Sequence, residues 1–108
     1  MCIRDRRKVE QSSHIIVIGM ERDEKESVPE WEEIAAVSCA VQNIYLSLRA
    51  AGLGGYWSTP SLTIKHIGHF LELGERETCL GFFYIGVPQE QLPPQVTKKP
   101  LSDKVTWV

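Results

Sequence analysis

Hydrophobic residues are concentrated in two short continuous runs and in one long periodic segment between them. The short runs cover residues 14–19, which are mainly β-branched, and residues 79–87, which are mainly aromatic and aliphatic. Neither run alternates with polar residues, and strands covered on both faces of a sheet have this composition. The pattern predicts two neighbouring strands inside one sheet, and it argues against an edge position for the first.

The periodic segment predicts a helix over residues 30–51. Large apolar residues recur there at intervals of three and four, as expected for one buried stripe. That stripe comprises Ile34, Val37, Val41, Ile44, Leu48 and Ala51. A second face carries only small or short side chains, namely Ala36, Ala40, Asn43, Ser47 and Ala50. Tight helix packing is the commoner reason for such a face, and close approach of a flat ligand is the alternative.

The ends of this helix have recognisable signals. Ser27 and Glu30 match a capping box, and Pro29 is compatible with a first helical turn. Gly52 is placed to end the helix in the left-handed conformation.

Shorter elements are predicted on either side of the second strand. Residues 63–71 read as a short helix that closes at Gly74, with Ile64, Ile67, Phe70 and Leu71 facing inward. Residues 21–26 are highly charged and predict a solvated loop. From Pro88 the chain contains prolines at short intervals, so this tail must pack on another element. Its last residues, 105–108, are β-prone and predict a strand added to a sheet edge, for instance on a partner subunit.

Composition restricts the class of protein. The chain has 108 residues, enough for one small domain, with 43% hydrophobic and 24% charged residues. Its formal net charge of -2 gives no electrostatic reason to bind nucleic acid. No apolar run approaches the roughly 20 residues that a membrane-spanning helix needs. Three widely spaced cysteines form no C-x-x-C pair, which favours a reducing, cytoplasmic location over a disulfide framework or a zinc site.

The first residues have a different character from the rest. Residues 1–6 lack the apolar core of a signal peptide, and we predict that they are a non-native leader without structure of their own. The domain proper is then predicted to occupy residues 7–108.

Few residues of the sequence are candidates for catalysis or for binding a ligand or a metal. The glycines of residues 52–55 follow a helix, which is the wrong order for a dinucleotide-binding loop, so they predict a helix stop and a turn. They also leave backbone N–H groups near Trp57, Ser58 and Thr59 accessible to a planar ring.

His66, His69 and Glu72 share a helix face, yet an exposed polar face explains them better than a metal site. Cys39 is expected to be a small core residue, and we identify no catalytic side chain and no metal ligand.

Four segments together resemble the C-terminal half of flavin-dependent nitroreductases, in the subgroup described as NAD(P)H nitroreductases. They are residues 28–32, 39–43, 52–58 and 80–88. The resemblance implies an α/β fold with a mixed central sheet flanked by helices, truncated at its N-terminal side. It also implies a homodimer with two FMN sites at the interface. In such enzymes NAD(P)H reduces the flavin, which then reduces a nitroaromatic, quinone or related small-molecule acceptor.

The resemblance assigns roles to particular residues. Trp57, Ser58 and Thr59 would lie along the isoalloxazine ring, with a backbone N–H of Ser58 or Thr59 donating to N5. Lys98 or Lys99 would contact the FMN phosphate. A weaker assignment places NAD(P)H at the helix end, which comprises Ser47, Leu48, Arg49, Ala50, Ala51 and Gly52.

One departure from the family pattern concerns the phosphate. The family's arginine-rich start, R-R-S-x-R, has no counterpart here, because residues 6–8 directly precede the first predicted strand. We therefore expect this chain, as a C-terminal part, to bind FMN weakly by itself. The rival hypothesis is a non-catalytic association module that pairs with another chain through its apolar helix and its tail.

Overall fold

A computed structural model describes residues 3–89 and 97–107 of the chain. In chain order the elements are α1 (Ile3–Gln11), β1 (His14–Glu21), α2 (Glu30–Ala50), β2 (Gly54–Ser58), α3 (Ser61–Phe70) and β3 (Glu77–Gly86). A single 3-10 turn, Leu101–Asp103, follows in the C-terminal segment. The predicted helix and both predicted strands are present. Helix α1 was not predicted, so the expectation that the first residues lack structure is wrong for residues 3–6. The assignment of residues 1–6 as a leader stays a prediction.

The three strands form one sheet in the order β1-β3-β2, and both pairings are antiparallel. The α/β class and the adjacency of the two predicted strands are confirmed. The prediction that β1 is not an edge strand is wrong, because within the described residues only β3 pairs with it. Ile15 and Val17 on its outer face are each 40% exposed. The β-branched residues of β1 make its outer face suitable for burial. The described elements cover that face only in part.

Helix α2 covers the other face of the sheet. Its Val41 is buried with Ile18, Phe83 and Ile85, and Leu48 packs against this cluster. Val37 and Ile44 also pack there, so the centre of the predicted stripe is confirmed. The two ends of the stripe, Ile34 and Ala51, are exposed. The face of small side chains is exposed along its whole length.

The C-terminal end of α2 has the predicted geometry. Gly52 has φ 76°, which only glycine adopts without cost. The N–H of Gly52 donates to the carbonyl of Arg49, and the N–H of Leu53 donates to the carbonyl of Leu48. These two bonds form a Schellman motif, which directs the chain from α2 into β2.

The start of α2 differs from the prediction. Pro29 is the N-cap residue, and its side chain makes no capping hydrogen bond. Ser27 instead donates its hydroxyl and its backbone N–H to the carboxylate of Asp23. The capping box is therefore wrong, because the Asp23 carboxylate competes for Ser27 within the preceding loop.

Helix α3 ends earlier than predicted. Glu72, with φ 53°, ends the helix in the left-handed conformation, two residues before the predicted closure at Gly74. The N–H of Glu72 donates to the carbonyl of His69, and the N–H of Leu73 donates to the carbonyl of Gly68. These two bonds form a second Schellman motif. Phe70, the last residue of α3, is 80% exposed, so its predicted inward position is wrong.

The loop between β1 and α2 is less fully solvated than its charge suggests. Arg22 lies 2.6 Å from the carboxylate of Glu33 and 3.5 Å from that of Glu30. The Arg22 and Glu33 side chains are only 21% and 13% exposed, and their closest atoms are not aligned for a hydrogen bond. The contact is therefore an ion pair at the edge of the core.

In the C-terminal segment, residues 105–107 do not form a strand within this chain, and their addition to the sheet edge of a partner subunit stays a prediction. Most of the proline-rich stretch that precedes it lies outside the described residues.

A large surface remains accessible. The chain exposes 9126 Å², whereas a compact protein of this mass exposes about 6,000 Å². The radius of gyration is 17.1 Å, against about 13 Å for a compact domain of this length. Apolar side chains contribute to the excess, including Trp31 and Tyr56.

Candidate functional site

A β-bulge interrupts the pairing of β1 with β3 next to the predicted flavin residues. Ile18 is opposite Gly81 and Gly19 is opposite Cys79, so Leu80 is the extra residue. A bulge bends its strand and leaves the extra residue without a ladder partner. Here it turns the Leu80 carbonyl towards β2.

The side chain of Trp57 uses that carbonyl. Its indole Nε1 donates to the oxygen of Leu80 over 3.1 Å. The bond satisfies the only polar atom of the indole and gives the Leu80 carbonyl a side-chain partner. Trp57 is therefore anchored to β3 and also packs against the hydrophobic core.

Gly81 permits the close approach of the two strands at this point. It has φ 125°, and a Cβ atom there would lie 2.5 Å from the carbonyl oxygen of Ser58 and 2.9 Å from Nε1 of Trp57. Any side chain would push β2 away from the bulge. Both the backbone conformation and the space require glycine.

Ser58 is held from the opposite face of the sheet. It is only 6% exposed, and Nζ of Lys8 donates to its hydroxyl oxygen over 3.3 Å. The same ammonium lies 4.9 Å from the centre of the Tyr56 ring, within the range of a cation–π interaction. Sequence reasoning missed Lys8, because nothing local connects it with a strand 50 positions later.

The three residues assigned to the isoalloxazine ring are thus brought together as one fixed segment, which we call the 57–59 segment. Trp57 and Ser58 are the last residues of β2, and Thr59 lies beyond the last paired position. The backbone of Ser58 pairs with β3, so the prediction of accessible N–H groups applies best to Thr59. Gly55 has a different role from the one considered: a Cβ there would lie 2.2 Å from the Phe83 ring, so this glycine makes room for the core.

The residues assigned to the phosphate are not joined to this segment. Lys98 and Lys99 are exposed. Among the described residues, neither forms an ion pair or a hydrogen bond. Their proposed role stays a prediction.

The residues assigned to NAD(P)H form the last turn of α2 and its Schellman ending. Leu48 packs in the core, and Ser47 donates its hydroxyl back to the carbonyl of Asn43. Leu48 therefore serves packing. Ser47, Ala50, Ala51 and Gly52 are exposed, and Arg49 is half-buried. This end of α2 contacts β2 and so lies on the same side of the sheet as the Trp57 side chain.

A shallow cleft of about 250 Å³ lies at the other end of β2. Gly54, Gly55, Tyr56 and Gly86 form part of its wall. It does not include Trp57, Ser58 or Thr59, so the cleft and the predicted ring site are distinct.

Other candidate groups can be placed as well. Cys39 is exposed, so its assignment to the core is wrong, because it lies off the buried stripe of α2. His66 and His69 are exposed on α3. Within residues 3–89 and 97–107, no three His, Cys, Asp or Glu side chains are grouped as metal ligands. In the same part of the chain, no helix combines the length and the hydropathy needed to cross a bilayer.

Comparisons with known proteins agree with this fold. A family model described as "Nitroreductase family" matches residues 4–87. The protein named Putative NAD(P)H nitroreductase YdjA from Escherichia coli K12 is 32% identical over 76 residues. The match covers 69% of this chain and 42% of that relative, so the chain spans less than half of the relative's length.

Two solved structures are similar in fold. A nitroreductase-like family protein from Bacillus cereus superposes with a TM-score of 0.71 at 20% identity, over 100% of this chain and 62% of its own. A nitroreductase from Desulfovibrio desulfuricans, crystallised in complex with FMN, superposes with a TM-score of 0.66 at 22% identity. It matches 84% of this chain and 52% of its own. Because the family model matches most of the sequence, the chain belongs to the nitroreductase family.

Proposed function

We propose that this chain forms part of an FMN-dependent oxidoreductase and supplies the segment that contacts the flavin ring. The observation that carries the proposal is the fixed 57–59 segment, held by the bulge at Leu80, by Gly81 and by Lys8. A binding edge whose backbone is fixed in advance loses little conformational freedom when a ligand arrives. Bound FMN would supply the redox chemistry by accepting and donating a hydride equivalent.

The donor set fits a flat, partly apolar ring better than a metal or a sugar. Trp57 provides an apolar body with its polar atom already satisfied, and Thr59 offers a backbone N–H just beyond the end of the ladder. The proposed role of Thr59 is to donate to the ring edge, which leaves its hydroxyl dispensable. The proposed role of Trp57 is to hold the segment and to exclude water from it.

The finer parts of the proposal rest on the family. Lys98 or Lys99 would contact the phosphate as a mobile point charge. NAD(P)H would bind beside the exposed end of α2, and a nitroaromatic or quinone would be the electron acceptor. The whole protein would act as a homodimer, which would cover part of the exposed apolar surface. Free Cys39 and Cys79 fit a cytoplasmic location.

The test uses a chimera, because the chain spans less than half of its Escherichia coli relative. In the chimera, residues from 4 onward replace the corresponding part of that relative, and the unmodified relative is the positive control. We expect the purified chimera to carry FMN, seen by its visible absorbance, and to reduce a nitrofuran with NADH or NADPH. A chimera with native circular dichroism that stays colourless in excess FMN would overturn the proposal.

A pair of substitutions then tests the backbone contact. Thr59→Pro removes the N–H and is expected to weaken FMN binding by about tenfold, as for loss of one hydrogen bond to a charged or polarised group. Thr59→Ala keeps the N–H and is the matched control, with unchanged binding. Equal effects of the two substitutions would show that the N–H is not the donor.

A non-catalytic association module is the second candidate, favoured by the exposed apolar side chains of Trp31 and Leu46 on α2. It predicts that the chain binds a polypeptide partner and that neither the chain nor the chimera retains flavin. The colour of the folded chimera distinguishes the two functions.

A further inference from the structure

Helix α1 places one cation against the proposed flavin segment from the face of the sheet opposite α2. Nζ of Lys8 lies 3.3 Å from Oγ of Ser58 and 4.9 Å from the centre of the Tyr56 ring. Lys8 therefore contacts two successive outward side chains of β2. Among the ion pairs of the described residues, none involves Lys8, so its charge is directed to this segment.

The Ser58 hydroxyl depends on this contact. Ser58 is 6% exposed, and in the described part of the chain Lys8 is the one side-chain partner of its hydroxyl. A buried hydroxyl that loses its partner carries the full cost of its desolvation, whereas a bond to an ammonium is among the stronger ones. Removal of the ammonium would thus loosen the last residue of β2.

The backbone beneath Lys8 is itself fixed. The Ser12 hydroxyl donates to the Lys8 carbonyl. The Ser13 N–H and hydroxyl both donate to the carbonyl of Ile85 in β3. The end of α1 is tied to the central strand, so the ammonium reaches β2 from a rigid base.

We infer that Lys8 is a positioning residue for the flavin site: its ammonium, bonded to Ser58 and stacked on Tyr56, holds the 57–59 segment in the conformation that receives the ring. The inference rests on the proposed function, because it assigns a purpose to that fixed segment. Lys8 acts through Ser58 and donates nothing to the cofactor itself. The charge and its placement are both required, since a neutral side chain of equal length would fill the space without the bond.

The first test uses the chain itself and needs no flavin. Amide hydrogen exchange is measured for Lys8→Met, which keeps the apolar stem, for Lys8→Arg, which keeps the charge, and for Lys65→Met, a control at an exposed position of α3. Exchange at Ser58 should accelerate about tenfold in Lys8→Met alone, the factor expected for one lost charge-assisted bond. Central β3 amides should be unchanged.

Two results would overturn the inference at this stage. Equal exchange in Lys8→Met and Lys65→Met would show that the ammonium holds nothing. Uniform acceleration through β3 would show that Lys8 contributes to global stability only.

The second test measures FMN binding in the chimera. The dissociation constant should rise about tenfold in Lys8→Met and return close to the wild-type value in Lys8→Arg, because only the charged variants can order Ser58. FMN bound equally well by wild type and Lys8→Met would overturn the inference alone. A folded wild-type chimera that binds no FMN would overturn the proposed function, and with it this role of Lys8.

Discussion

The indole N–H of Trp57 donates to the carbonyl oxygen of Leu80, 3.1 Å away and 23 positions later in the sequence. The acceptor is the extra residue of a bulge, so this bond joins an irregular point of β3 to the end of β2. It couples the position of the proposed flavin segment to the geometry of the central strand.

Replacement of Trp57 by Phe should therefore cost more than the loss of its ring volume suggests. The Leu80 carbonyl would lose its partner, and we expect a decrease of about 1–3 kcal/mol in the free energy of unfolding. Urea denaturation measures the change. Trp31→Phe is the control, because Trp31 is 66% exposed and its replacement should be nearly neutral. Similar losses in the two variants would contradict a specific role for the Trp57 bond.

Substitution of three glycines by alanine separates two effects, an unfavourable backbone φ and steric overlap of the new Cβ atom. Gly81→Ala should destabilise the chain by about 3 kcal/mol or more, because the new Cβ would overlap the Ser58 carbonyl and adopt an unfavourable φ. Gly52→Ala has the unfavourable φ with open space around it, so about 1 kcal/mol is expected. Gly68→Ala lies inside α3 without a clash and should stabilise by about 0.5–1 kcal/mol. Any other ranking of the unfolding midpoints would contradict this reading of the bulge.

The ion pair between Arg22 and Glu33 should be measurably coupled. A double-mutant cycle with Arg22→Met and Glu33→Gln is expected to give about 1–2 kcal/mol, because both side chains are largely shielded from water. The matched control is the exposed pair of Arg6 and Glu10 on α1, for which less than about 0.5 kcal/mol is expected. Equal coupling in the two cycles would show that burial does not strengthen the Arg22 pair.

We expect the stability of the folded chain at low pH to depend on Ser27. Hydrogen bonds from the Ser27 hydroxyl and N–H lower the pKa of Asp23 below its ordinary value. A lowered pKa means that the folded state binds this proton less readily than the unfolded chain. The associated stability is therefore present above the ordinary aspartate pKa and is lost as the pH falls through the folded-state value.

Ser27→Ala removes the hydroxyl and should move the pKa of Asp23 upward, which carboxyl carbon chemical shifts can follow during titration. Ser38→Ala on α2, whose hydroxyl donates to the carbonyl of Ile34, is the control and should leave the pKa of Asp23 unchanged. A titration curve that is the same in the Ser27 variant and the wild type would contradict the assigned cause.

The sequence allowed the elements with strong local patterns to be predicted. The 3-4 spacing around Val41 predicts which face of one helix is buried. The continuous apolar run of β3 likewise predicts burial of one strand, and Gly52 predicts one backbone angle. Family resemblance assigned the 57–59 segment to the flavin, and this assignment stays a proposal. The edge position of β1 could not be predicted, because it depends on which polypeptide covers Ile15 and Val17. The bulge at Leu80 and the contact of Lys8 with Ser58 join residues far apart in sequence, and no periodicity reports such pairings.

The unpaired edge of β1 affects how the chain behaves in concentrated solution. Among the described strands only β3 pairs with it, so one row of its backbone N–H and C=O groups faces outward beside Ile15 and Val17. A β-branched edge of this kind, with no proline and few charges, is a template for intermolecular strand pairing. The chain by itself should therefore self-associate into sheet-rich assemblies as its concentration rises, and a lysine at position 17 should act as a gatekeeper against them.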